Sequence, residues 1–338
     1  MPTPNQTDHS SRRVLVTGGA GFIGSHLSDL LLARGDQVTV VDNLWTGRRS
    51  NLPTAHPRLL FIEADLRDAL AAFAPNDTFD QVYHLAAAVG VGLVMAQPIR
   101  AIETNVEQTA ALLRFVAARP RRDGGIGLPT LIASSSEVYG KSAKSPFSED
   151  DDAVYGPTTV GRWSYACSKA IDEYLALAYA QRDNLPVVVV RFFNTVGPRQ
   201  VGEYGMVLPR FVRAARAGET LTVFGDGTAS RCFCDVRDVV AALPRLLERP
   251  DCLGRVFNLG SDRPITIAAL AELVVRTLGS RSEVRRAPYA EAYPTGFEDL
   301  RQRQPDLARV RAAIGFAPTI SLDQTIRDVA SAMEGTRA

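Results

Sequence analysis

Tyr165 and Lys169 are a pair of residues whose side-chain types and spacing could support catalysis. They stand four apart in the helix-like segment WSYACSKAIDEY, so both side chains would lie on one helix face. The chain takes its positive charge almost wholly as arginine, and lysine occurs only at positions 141, 144 and 169. An ammonium one helical turn away lowers the pKa of tyrosine from about 10 and lets the phenol act as a base. The same spacing fits an ordinary amphipathic helix with a surface tyrosine and lysine.

Three consecutive serines, Ser134, Ser135 and Ser136, follow a predicted strand in TLIASSSEVYG. A hydroxyl at the carboxyl end of a strand could share the proton that moves between a tyrosine and a substrate. The serines therefore favour a chemical role for Tyr165 and Lys169.

A glycine-rich segment, GGAGFIGSHL, follows the first predicted strand, RRVLVTG. Gly18, Gly21 and Gly24 have a spacing at which the chain turns tightly and its backbone can approach a pyrophosphate. The helix that follows would present N–H groups and the positive end of its dipole to the same ligand. Strand, loop and helix together predict a dinucleotide site.

The residues after the next two strands indicate which dinucleotide binds. Asp42 ends the strand QVTVVD, 18 residues after Gly24, where a carboxylate can bind an adenosine ribose and repel a 2′-phosphate. Asp65 ends LLFIEAD, where an adenine contact is expected. Arg48 would favour NADP, but the carboxylate of Asp42 predicts NAD.

Strand-like and helix-like segments alternate along the chain, which predicts a parallel sheet covered on both faces. We expect an α/β fold, a Rossmann-type doubly wound parallel sheet with a smaller C-terminal substrate-binding α/β region. The NAD-binding domain would span 13–195, with returns near 233–262. The substrate-binding region would comprise 196–232 and 263–330, and residues 1–12 would form a disordered leader.

The composition excludes several classes of partner. The chain has 338 residues, is 46% hydrophobic and 22% charged, and has a net charge of +1. This balance gives no reason to expect nucleic acid or a membrane as partner. The four cysteines and four histidines have no zinc-binding spacing, so we expect no metal, and we expect a cytoplasmic protein.

The segments TGGAGFIGSHL, VVDNL, YHLAA, SSSEVYG, YACSK and RFFNTVGP occur in this order and resemble the extended short-chain dehydrogenase/reductases. More narrowly, the chain is similar to NAD-dependent nucleotide-sugar epimerases, dehydratases and decarboxylases over nearly its whole length. The resemblance implies tightly bound NAD, a nucleotide-diphosphate sugar as substrate, and a homodimer through helices at 99–118 and 165–182. The pattern of these helices alone would equally suit packing on the sheet.

The same resemblance implies roles for individual residues. Tyr165 would be the base, Lys169 its activator and Ser135 its hydroxyl partner, with Ser136 and Glu137 as further catalytic residues. Asn105 would order the active-site helix. The implied NAD site comprises Gly18, Gly21, Phe22, Ile23, Gly24, Asp42, Asn43, Asp65, Leu66, Leu85, Ala86, Ala87, Asn105, Tyr165 and Lys169. The implied substrate site comprises Val89, Asn194, Arg231 and Arg303, with Asn194 and Arg231 on the diphosphate.

These relatives share a first step, in which hydride leaves sugar C4 for NAD and gives a 4-keto sugar. Related 4,6-dehydratases have an Asp-Glu pair where this chain has Ser136 and Glu137. An alcohol is a poor proton donor to a leaving hydroxide, so dehydration is disfavoured. We therefore expect 4-epimerisation, in which the keto sugar turns over and takes the hydride back on its other face.

The alternative is decarboxylation of a nucleotide-linked uronate such as UDP-glucuronate, because a 4-keto uronate is a β-keto acid. The pair Ser136-Glu137 and the stretch GFEDLRQRQPD, with Arg303 at a functional arginine, resemble the decarboxylases. Phe297 replaces a tyrosine of some decarboxylases, and residues 86–95 offer no basic side chain for a carboxylate. A minor alternative is a non-catalytic nucleotide-binding protein. Such a protein would not need a serine, a tyrosine and a lysine at the spacing of a catalytic site.

Overall fold

The structure is a computed structural model that describes residues 11–75, 77–202, 206–291 and 301–333. Two sequence-based expectations fall outside these residues: nearly all of the predicted leader at 1–12, and the position of Phe297.

The strands follow the predicted alternation and then become shorter toward the C-terminus. They are β1 (Arg13–Thr17), β2 (Gln37–Asp42), β3 (Leu59–Glu63), β4 (Gln81–His84), β5 (Thr130–Ser135), β6 (Val187–Phe192), β7 (Thr195–Val196), β8 (Leu221–Phe224), β9 (Ser230–Cys232), β10 (Cys234–Asp235), β11 (Arg255–Leu259), β12 (Pro264–Thr266), β13 (Val284–Ala287) and β14 (Gln302–Arg303).

The helices connect these strands. They are α1 (Phe22–Ala33), α2 (Leu66–Ala72), α3 (Val91–Ala96), α4 (Pro98–Ala117), α5 (Ser164–Asp183), α6 (Val207–Ala217), α7 (Val236–Leu247), α8 (Ile267–Leu278), α9 (Ala308–Ile314) and α10 (Leu322–Ala332).

Seven strands form one sheet in the order β11-β6-β5-β4-β1-β2-β3, and every neighbouring pair is parallel. The central strands are buried on both faces, as the run of four valines in β6 shows. One apolar cluster joins the sheet to α1, α7 and α9, and another joins it to α2, α4 and α5. The predicted Rossmann-type fold is confirmed. A third apolar cluster, from α6, α8 and α10, supports the C-terminal region.

The topology determines where a ligand can bind. The strand order reverses between β1 and β4, so the loops after Thr17 and His84 lie side by side at the carboxyl edge of the sheet. A small sheet, β12-β9-β14, places Arg303 opposite Arg231 in parallel register. Both arginines line the same pocket as the loop after β1.

Candidate active site

The segment after β1 has no room for a side chain at Gly18 or at Gly24. Gly18 has a φ of +71°, and a Cβ there would lie 2.6 Å from the backbone nitrogen of Ala86. A Cβ on Gly24 would lie 2.2 Å from the carbonyl oxygen of Gly18. Glycine alone fits so close an approach. Because α1 begins at Phe22, its first N–H groups lie beside this loop, and the residues fit a pyrophosphate.

Asp42 ends β2 beside this loop and is held rigidly. Its carboxylate accepts hydrogen bonds from the backbone N–H groups of Ala20 and Leu44, each at 2.9 Å. Burial raises the pKa of Asp42, and the backbone N–H groups oppose that rise. Ribose hydroxyls could donate to this oxygen-rich position, whereas a 2′-phosphate would be repelled, so the residues fit NAD.

Most of the other predicted NAD residues line the same pocket. They are Gly21, Phe22, Ile23, Asn43, Leu66, Leu85, Ala86 and Ala87.

Two predicted NAD residues, Asp65 and Asn105, do not line this pocket, and their contact with NAD stays a prediction. Asp65 accepts a hydrogen bond from Nδ2 of Asn43 at 2.8 Å, so it holds a neighbour of Asp42. Asn105 is buried in α4, where its Oδ1 accepts from the backbone N–H of Ala88 at 2.8 Å and its Nδ2 donates to Ser168 at 3.1 Å. Asn105 thus joins the substrate-side loop to α5.

Tyr165, Lys169 and Ser135 meet in the pocket, because α5 packs against the end of β5. The hydroxyl of Ser135 forms a hydrogen bond with the phenol of Tyr165. It also accepts the backbone N–H of Glu137 at 3.2 Å. Burial raises the pKa of Tyr165, the charge of Glu137 raises it further, and the bond from Ser135 opposes the rise. Lys169 is not among the largest influences on the pKa of Tyr165.

Lys169 forms a buried ion pair with a carboxylate on its own helix. Its Nζ is 2.7 Å from Oδ2 of Asp172, one turn along α5, and both side chains are buried. The carboxylate offsets much of the positive charge that Tyr165 would otherwise experience. The sequence analysis missed Asp172, although its position three residues after Lys169 places it on the same helix face.

Glu137 lies between two buried guanidinium groups. Nη1 of Arg303 is 2.6 Å from its Oε1, and Nη1 of Arg162 is 2.7 Å from its Oε2. Burial by itself would raise the pKa of Glu137, but Arg303 and Arg162 outweigh burial and hold it at about 2. The two guanidinium groups thus favour the charged form of Glu137. We call Arg162, Glu137 and Arg303 the arginine cluster; its net charge is +1.

The three members of the arginine cluster come from distant parts of the chain. Glu137 lies on the short 3₁₀ turn after β5, Arg162 on the turn that leads into α5, and Arg303 on β14. The sequence analysis named Glu137 and Arg303 but missed Arg162. The feature of the sequence that could have pointed to Arg162 is its position three residues before Tyr165.

The predicted substrate residues line the other side of the pocket. Asn194 has a φ of +29°, and its Nδ2 is buried with no hydrogen-bond partner among the described residues. An unsatisfied buried N–H costs free energy, which an acceptor such as a phosphate oxygen could recover. Arg231 is buried and Val89 is 41% exposed, and both line the pocket. Ser136 lies beside Glu137 and also faces the pocket.

Two further properties were searched for over the described residues. None of their helices has the length and apolar character needed to cross a membrane. Within the same residues, no three histidine, cysteine, aspartate or glutamate side chains are grouped so that they could hold a metal ion.

Comparison with known proteins gives matches over most of the chain. The model of the NAD dependent epimerase/dehydratase family matches residues 14–260. The chain is 38% identical to UDP-N-acetyl-alpha-D-glucosaminuronate decarboxylase of Bacillus cytotoxicus, over 94% of this chain and 96% of that protein. It is 33% identical to UDP-glucuronic acid decarboxylase 1 of Danio rerio, over 96% of this chain and 73% of the relative. The solved structure of UDP-glucose 4-epimerase from Thermotoga maritima superposes with a TM-score of 0.84 at 29% identity, over 96% and 100% of the two chains.

Proposed function

The chain belongs to the NAD-dependent epimerase/dehydratase family, and we propose that within it the protein decarboxylates a nucleotide-linked uronate. The cofactor is NAD. The observation that carries the proposal is the buried arginine cluster beside Tyr165. This reverses the order expected from sequence alone, in which 4-epimerisation came first.

The position of each proposed catalytic side chain is compatible with a specific role in the reaction. Bound NAD would supply the acceptor, and later the donor, for the hydride of sugar C4. Tyr165 and Ser135, which share a hydrogen bond, move the proton of the C4 hydroxyl. The resulting 4-keto uronate loses CO₂ by breaking the C5–C6 bond, and the electron pair passes to the oxygen at C4. The phenol and the serine hydroxyl stabilise that oxygen by donating hydrogen bonds, and a proton is then added at C5.

The arginine cluster explains how a carboxylate could be recognised although residues 86–95 supply no cation. Two buried guanidinium groups with one carboxylate leave a positive charge beside the catalytic residues. A uronate carboxylate could interact favourably with these guanidinium groups, whereas a neutral hexose would offer them no negative charge. Glu137, in its charged form, holds Arg303 and Arg162 in place. The names of the two curated relatives support the same assignment.

A second candidate is 4-epimerisation of a nucleotide sugar. The likeness to the epimerase of Thermotoga maritima favours it, and Tyr165, Ser135 and Lys169 suffice for its hydride chemistry. It gives no role to the arginine cluster.

The deciding experiment is incubation of the purified protein with UDP-linked uronates and UDP-linked hexoses in deuterated water, followed by chromatography and mass spectrometry. A decarboxylase gives a product lighter by one CO₂, with one deuterium at C5, from uronates only. A product of unchanged mass with a new retention time, and without solvent deuterium, would overturn the proposal in favour of epimerisation. NAD bound without any turnover would leave the non-catalytic alternative.

We further propose that the protein acts as a cytoplasmic homodimer. The helices α4 and α5 pack against each other and share an outer face with large exposed apolar side chains. Ile99 is 73% exposed and Tyr174 is 76% exposed, and Ile102 and Ile171 lie on the same two helices. A second copy of this face would cover them.

A further inference from the structure

Asp172 is a buried carboxylate to which the mechanism above gives no role. It is 0% exposed, and its Oδ2 lies 2.7 Å from Nζ of Lys169, which is 2% exposed. Its Oδ1 is buried without a hydrogen-bond partner in the described part of the chain. Removing one member of a buried ion pair leaves the other as an uncompensated charge. The placement of Lys169 inside the site therefore depends on Asp172.

A line of buried polar groups connects this pair to the cofactor loop. Burial raises the pKa of Asp172, and Lys169 and then Thr109 of α4 oppose the rise. Oγ1 of Thr109 lies 3.1 Å from Nε2 of His84, whose Nδ1 lies 2.7 Å from Oγ1 of Thr17 at the end of β1. Burial, helped by Lys169, lowers the pKa of His84 to about 3, so the imidazole is neutral. These groups add no negative charge, which leaves Asp172 as the counter-charge of Lys169.

We propose that Asp172 is a positioning residue for Lys169, fixing the ammonium within the site and setting how much of its charge reaches the phenol of Tyr165. The inference rests on the part of the proposed function in which Tyr165 moves the C4 proton, and it applies to either product.

The other titratable groups around the pair do not take over this task. Those that face Tyr165 and Lys169 from α5 and the neighbouring elements are His84, Glu137, Arg162, Glu173 and Arg303. Glu137 belongs to the arginine cluster, and Glu173 pairs with Arg191 at 2.6 Å. Replacing Asp172 therefore changes the charge balance at Lys169 without breaking another ion pair.

A double-mutant cycle measured by thermal unfolding of the purified protein tests the pairing. Asp172→Asn leaves the buried ammonium alone and should lower Tm, while the double variant with Lys169→Met should have a higher Tm than Asp172→Asn. If Asp172→Asn does not fold, a folded double variant supports the pairing and an unfolded one opposes it. If the decreases in Tm of the two single variants add up to the decrease of the double variant, the proposal is overturned. Asp183→Asn, at the exposed end of the same helix, is the control and should leave Tm unchanged.

The pH dependence of turnover tests the positioning role. In Asp172→Asn, kcat should fall between about 10- and 100-fold while KM stays within about twofold, because only the geometry and charge of the catalytic group change. The rising limb of the pH profile should move to lower pH, since a negative charge that raises the pKa of Tyr165 is gone. Asp172→Glu should restore part of the rate. If Asp172→Asn is slower but the rising limb of its pH profile does not shift, Asp172 has only a structural role. The thermal cycle needs no substrate, so its outcome is separate from that of the decarboxylation assay.

Discussion

Replacing Glu137 by glutamine would remove one charge from the centre of the arginine cluster and keep its shape. The guanidinium groups of Arg162 and Arg303 would then be buried with no anion between them. The pKa of Glu137 is held at about 2, against an ordinary value of 4.5. That difference corresponds to about 3 kcal/mol of interaction. We therefore expect Glu137→Gln to lower the free energy of unfolding by about 3 kcal/mol at neutral pH, within the range for breaking a buried ion pair.

The pH dependence of this loss has a definite sign. A carboxyl whose pKa is lower in the folded than in the unfolded protein stabilises the fold at pH above its unfolded value. That stabilisation is lost as the pH falls through the folded value. The difference between the wild type and Glu137→Gln should therefore be constant from pH 7 to about 5 and shrink from about pH 4.5 toward pH 2.

Urea unfolding followed by tryptophan fluorescence measures this difference at neutral and at acid pH. Glu107→Gln is the matched control, because Glu107 pairs with Arg67 at 2.9 Å on the surface, with side chains 51% and 63% exposed. That change should alter stability by less than about 1 kcal/mol. If Glu137→Gln costs no more than the control at neutral pH, or costs as much near pH 3 as at pH 7, the account of the arginine cluster is wrong.

Four further substitutions test the rest of the site. Tyr165→Phe should abolish turnover while NAD still binds, as measured by fluorescence titration; full activity would remove the phenol from the mechanism. Asp42→Ala should weaken binding of NAD more than binding of NADP, and an unchanged ratio of the two Kd values would mean that the ribose contact is misplaced. Arg303→Ala should let a 4-keto product accumulate from a uronate, detected by mass spectrometry, because the carboxylate is no longer oriented; a rise in KM alone would favour the epimerase. Tyr174→Glu should convert a dimer to monomers in sedimentation, since a charge would enter the apolar face, and an undisturbed dimer would exclude that face.

The fold and the cofactor were predictable because their signals are local. Short apolar segments of strand length alternate with segments of helical periodicity, and Gly18, Gly21 and Gly24 have the spacing typical of a dinucleotide-binding loop. Both predictions are confirmed, by the parallel sheet and by the family match. The division into domains and the roles of individual residues stay predictions.

The candidate catalytic residues were predictable one by one, but their arrangement in the site was not. Tyr165 and Lys169 share a helix face, so their meeting follows from helix geometry. The choice among three serines came from a resemblance, and the hydrogen bond from Ser135 to Tyr165 is visible only in the folded chain. Asp172 lies on the same face as Lys169, but periodicity cannot tell a buried carboxylate from an exposed one.

The sequence by itself determined the parallel sheet, the glycine cradle and the positions of tyrosine and lysine, because short-range sterics and helical spacing fix each of these. Only the tertiary structure decided the charge of the site. It brings Arg303 from the C-terminal region and Arg162 from the turn before α5 to opposite sides of Glu137. Charges interact through space rather than along the chain, and burial strengthens their interaction, so the pairing of Glu137 with two arginines could not be read from the order of residues.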